Sequence, residues 1–106
     1  MVSKVLLQKF EEQVQHLGGK IIRDCKSEAD FRSRALDEMG RVSKSWGFYN
    51  DEERIGVVFP DSDQAYAMGK WDKIGKVLVS PCSQIWGEDP ELDKFKRRFR
   101  YIVLEP

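Results

Sequence analysis

The chain has 106 residues, 41% hydrophobic and 34% charged, and its eighteen basic residues are balanced by eighteen acidic ones. That length builds one core and is short for two domains, and the composition is that of a globular chain rather than a disordered one. Zero net charge excludes a whole-molecule field that would draw the protein to nucleic acid or to an anionic membrane.

No run approaches the roughly 18 apolar residues of a membrane span. "MVSKVLLQKFEEQ" meets acidic residues early and has no long apolar centre, so a signal peptide is not expected. Cys25 and Cys82 are too few for a metal cluster or a disulfide framework. They read as free, partly buried thiols in a reducing compartment, and a cytoplasmic location is expected.

Val5, Leu6, Phe10, Val14 and Leu17 recur at helical spacing while Lys4, Lys9, Glu11, Glu12 and Gln15 fill the other face. This predicts an amphipathic helix over about Ser3–Leu17, ended by Gly18-Gly19. "KIIRDC" follows as a short strand. Ser27 with Asp30 makes an imperfect capping box for a second helix, whose Phe31, Ala35, Leu36 and Met39 share one side and for which Gly40 is the stop. "SWGFYNDEER", with Gly47 and Asn50-Asp51, reads as a turn-rich connection.

"RIGVVFP" carries the strongest strand signal, a continuous apolar run bounded by charge and by Pro60. "DSDQAYAMGKW" reads as a short helix capped by Asp61 or Ser62, "KVLVSP" as a further strand, and Asp89-Pro90 as a helix start. The closing "ELDKFKRRFRYIVLEP" fits two periods. The aromatic and β-branched residues of "FRYIV" favour a helical turn near 90–94 and then a strand over about 95–104. On that strand Lys94, Lys96, Arg98 and Arg100 share one face, Phe95, Phe99, Tyr101 and Val103 the other, and Arg97 is the exception. The expected fold is α/β (α+β): a single small domain over 1–106 with a sheet of about four strands and two to three helices packed mainly on one face.

Most catalytic chemistry lacks its residues. His16 is the one histidine and has no ligand partner at short spacing for zinc, nor a local cysteine for nucleophilic catalysis. "GKWDKIGK" misses the phosphate-loop spacing by one position and has Val77 where a hydroxyl is needed. Asp51, Glu52, Glu53, Asp61 and Asp63 flank the "RIGVVF" strand. Such carboxylates at strand ends suit a magnesium-dependent nuclease with Lys70 or Lys73 steadying the transition state, though no Asp/Glu-x-Lys triplet completes a nuclease signature after Pro60-Asp61. Charged loops and helix caps account for the same residues. No catalytic residue, metal or cofactor is therefore expected.

Trp46, Trp71 and Trp86 each lie beside glycine or a charged residue in a predicted connection, where a large aromatic covers a core edge or anchors a partner. Five of the basic residues fall within positions 94–100, where no acidic residue stands, leaving the rest of the chain five charges to the acidic side. A row of such cations every roughly 7 Å matches phosphates along an extended strand, but the aromatics on the opposite face are not placed to stack bases beside them. Lysines also guard exposed sheet edges.

The expectation is a non-catalytic binding module, an adaptor, inhibitor or regulatory protein that contacts another protein with an acidic surface. Its surface is expected to combine Trp46, Phe48 and Tyr49 with Lys94, Lys96, Arg97, Arg98 and Arg100. Nucleic-acid binding through the same basic strand is the alternative, and a metal-dependent nuclease the third reading. No membrane partner is expected.

Overall fold

The computed structural model describes residues 3–39, 44–60, 63–75 and 90–105. The first helix, α1 (Lys4–His16), forms where the apolar periodicity places it. Ser3 Oγ accepts the Leu6 N–H at 3.1 Å, satisfying one of the donors a helix start leaves open. At the other end Gly18 takes φ +83°, which lets the Gly19 N–H reach the Val14 carbonyl at 2.8 Å and the Gly18 N–H reach that of Gln15 at 3.0 Å. This double closure turns the chain sharply into β1 (Lys20–Ile22).

In α2 (Glu28–Met39) the predicted box is half formed. Ser27 Oγ accepts the Asp30 N–H at 3.2 Å, while the short Asp30 carboxylate accepts the Lys26 N–H at 2.9 Å. Helix α3 (Gln64–Gly75) is capped by Asp63, whose Oδ1 accepts the Tyr66 N–H at 2.8 Å; the caps expected at Asp61 or Ser62 lie outside the described residues. So do Gly40, Asp89, Cys82, Trp86 and the strand expected over 76–81.

Two readings are corrected. "SWGFYN" is not a connection but the central strand β2 (Ser45–Asn50), paired residue for residue with β3 (Ile55–Phe59). Gly47, taken as a turn signal, marks a close approach instead: a Cβ there would stand 3.0 Å from Leu104 and 3.2 Å from Phe31. The turn is confined to 51–54, where Asn50 Oδ1 accepts the Glu53 N–H and Arg54 adopts φ 54°.

The second correction concerns the basic run, which is mostly helical. Helix α4 spans Pro90–Arg97 and β4 begins at Arg100. Leu92 and Phe95, three apart, both bury as helical neighbours, so packing decides between two periods that the sequence carries equally well.

The sheet order is β1-β3-β2-β4, with every neighbouring pair antiparallel. β1 and β2 are thus parallel with β3 between them, and β3 and β4 are parallel with β2 between them. The two crossovers run the same way across the sheet from strands of opposite direction, so connections of one hand must lie on opposite faces. The core clusters match: α2 packs Phe31, Ala35 and Leu36 on Tyr49, Val58, Ile102 and Leu104. Helices α1, α3 and α4 pack Phe10, Val14, Trp71, Ile74, Leu92 and Phe95 on Phe48, Val57 and Phe59. Three of the four described helices share a face, and the fourth seals the other. With both faces covered, every residue of β3 is buried, which is why "RIGVVFP" reads as a continuous apolar run rather than an alternation.

Candidate functional site

The predicted surface is dispersed by this fold. Phe48 and Tyr49 are 2% and 1% exposed; Phe48 stacks on Trp71 at 4.2 Å and Tyr49 on Phe31 at 5.3 Å. Neither is presented to a partner, because both strand faces are covered. Trp46 is half-buried, stacked on Tyr101 at 5.5 Å with the Lys44 ammonium over its ring.

Each residue of the basic run meets a carboxylate. Lys94 pairs with Glu91 at 3.9 Å and Arg97 with Asp93 at 2.9 Å along α4. Lys96, its side chain only 12% exposed, reaches Asp72 of α3 at 3.5 Å. Arg98 meets Glu52 at 3.6 Å, and Arg100 is shared between Asp51 at 2.8 Å and Glu28 at 2.9 Å. The exposed pairs, all but that of Lys96, contribute little stability each, but together the pairs offset the local positive charge that a phosphate chain or an acidic surface would sense. Lys94, Lys96, Arg98 and Arg100 do not form a row, because the chain leaves the helix between Arg97 and Arg100.

The same pairs occupy Asp51 and Glu52 of the carboxylate group considered for magnesium; Asp61 lies outside the described residues. Among the described residues no three His, Cys, Asp or Glu side chains group to hold a metal ion. Cys25 is sealed in the α2-side core, its thiol 3.5 Å from the Ile22 carbonyl and pushed up in pKa chiefly by burial. His16 is exposed on α1, which packs on the other side of the sheet, so the two form no pair.

A different surface emerges between α1 and α3. Leu17, at the end of α1, and Ala65, Tyr66, Gly69, Lys70 and Lys73 line an open cleft of about 440 Å³, within the ~300–1,000 Å³ usual for binding pockets. The spacing 66, 69, 70, 73 is one helical face, while Ala67, Trp71 and Ile74 bury the opposite one. Tyr66 is 69% exposed. The Lys70 ammonium lies 5.6 Å from the Phe59 ring centroid and reaches toward Gly18, 3.7 Å from where a Cβ would stand there. Among the described residues neither Lys70 nor Lys73 has a carboxylate within ion-pair distance.

On sequence alone Lys70 and Lys73 enter as aids to a metal site, and Gly69 enters in the near-miss of the phosphate loop. The signal was available in Tyr66-x-x-Gly69-Lys70-x-x-Lys73, a polar helical face with one aromatic and no acid, but Trp71 assigned to a connection obscured it. The arrangement offers two cations, one exposed ring and an apolar wall: the means to hold an anionic, partly apolar group.

Together these features define a small α/β domain built on a four-stranded antiparallel sheet with helices on both faces. No helix among the described residues is long and apolar enough to cross a membrane. No protein-family model, no curated protein and no solved structure matches the chain.

Proposed function

We propose that this protein is a non-catalytic binding module that contacts an acidic segment of another protein, through the cleft between α1 and α3. The observation that carries this reading is the contrast in charge pairing. All five cations of the C-terminal run are matched by carboxylates, whereas Lys70 and Lys73 face the cleft with none among the described residues. On a chain of zero net charge, such a local excess is what steers an acidic partner and fixes its register. Tyr66 supports the same reading, since an exposed tyrosine beside a cleft is a frequent interface anchor.

The test is fluorescence polarisation of labelled acidic peptides of varied apolar content, with a single-stranded oligonucleotide alongside. Peptide binding that is lost in Lys70→Glu/Lys73→Glu and kept in Arg98→Glu/Arg100→Glu is expected. Loss in the second variant alone would return the site to the C-terminal run. A preference for the oligonucleotide, with affinity falling steeply in salt, would replace the protein partner by a nucleic acid.

A further inference from the structure

Gly69 is the described glycine with no internal reason to be one. Gly18 needs its positive φ, and Gly19, Gly47, Gly56 and Gly75 each have an atom within 3.0 Å of where a Cβ would stand. Gly69 has nothing within 4 Å, and no φ in the left-handed region. In the interior of α3 it costs about 1 kcal/mol against alanine, and inside the described fold nothing offsets that cost. What it provides is a bare stretch of helix backbone at the floor of the cleft, with Leu17 and Tyr66 among the lining and Lys70 and Lys73 on the same helical face.

The protein shows what such a floor accepts. On the α2 side of its own core the Phe31 ring lies on the bare backbone of Gly56, with Tyr49 stacked at 5.3 Å. Gly69 and Tyr66 repeat that combination, glycine floor and neighbouring ring, but open to solvent. Lys70, already held over Phe59, loses less freedom on pairing than an untethered lysine would.

We infer that the segment taken by this cleft carries an aromatic side chain next to carboxylates, the ring lying on Gly69 beside Tyr66 and the carboxylates reaching Lys70 and Lys73. This rests on the acidic-partner reading above and adds the aromatic requirement to it.

The experiment compares three synthetic peptides: acidic with a central Phe, the same with Ala in its place, and the Phe peptide with its acids made neutral. Each is titrated into the wild-type protein, Gly69→Ala, Gly69→Leu and Lys70→Glu/Lys73→Glu. The acidic Phe peptide is expected to bind about thirtyfold more tightly than its Ala counterpart, the lower end of the range for an interface hot spot. Gly69→Leu should remove that advantage while unfolding at the wild-type temperature or above, since leucine is the better helix former and the site is sterically open. Equal binding of the Phe and Ala peptides, or an advantage that survives in Gly69→Leu, would overturn the aromatic requirement and leave the charge reading intact. Failure of every acidic peptide to bind, or binding indifferent to Lys70→Glu/Lys73→Glu, would overturn both.

Discussion

The ring of Phe31 rests on Gly56: a Cβ at that glycine would come within 2.1 Å of Cδ1 and Cε1 of the ring. This contact seats α2 on the sheet, with Gly47 beside it on β2 leaving 3.2 Å for the same ring. Tyr49 stacks on Phe31 at 5.3 Å, so the ring has little room to shift. Gly56→Ala should therefore lower stability by about 3 kcal/mol, the upper part of the usual range for overpacking. The check is the urea midpoint, together with the double variant: Phe31→Leu should cost less in the Gly56→Ala background than alone, because the two sites share one clash.

Arg32 closes the outer strand. Its guanidinium donates to the Val103 carbonyl of β4 at 2.7 Å and to Glu28 at 3.2 Å, and Glu28 in turn holds Arg100 at 2.9 Å. Among the described residues β4 has a sheet neighbour on one side alone, β2, and an unguarded edge pairs with other chains. Arg32→Ala should leave thermal stability within about 1 kcal/mol but increase self-association with concentration, read by sedimentation velocity. Identical sedimentation of variant and parent would remove the guarding role.

Alkaline pH should destabilise the fold in a defined window. Burial pushes the Cys25 thiol above its ordinary value of 9.0, and likewise the Tyr49 and Tyr101 hydroxyls above 10.0. A group whose pKa is raised by folding binds its proton more tightly in the native state. The unfolded chain thus releases protons first, and stability falls as pH rises past the unfolded values. The urea midpoint should decline as pH rises above about 9. Cys25→Ala should delay the onset of the decline toward pH 10, where the tyrosines take over.

Trp71 joins the helices to the sheet. It stacks face to face on Phe48 at 4.2 Å and meets Phe10 and Phe99 edge-on at 5.9 and 5.0 Å. Trp71→Ala should cost roughly 3–5 kcal/mol, as truncation of a buried aromatic does, and Trp71→Phe distinctly less, because the ring on Phe48 is retained. Thermal denaturation of the two variants separates these values.

The sequence by itself determined what depends on neighbours a few residues apart. The spacing of Phe10, Val14 and Leu17 set α1, Gly18-Gly19 set its end, Ser27 began α2, and the apolar run from Ile55 marked a strand. Helical period and capping act within one turn of chain, so one sequence carries them in full. Tertiary structure decided where local signals conflict or distant groups meet. Gly47 reads as a turn until Phe31 and Leu104 arrive above it, and residues 94–99 satisfy helix and strand periods alike until Leu92 and Phe95 find a core. Arg100 is an unpaired cation until the fold brings Glu28 and Asp51 to it from two other elements. The helical face of Tyr66, Gly69, Lys70 and Lys73 was legible in the sequence, but the charge balance of the cleft was not: which carboxylates stand beside a lysine depends on the sheet order, and that order is set by the packing of both faces together.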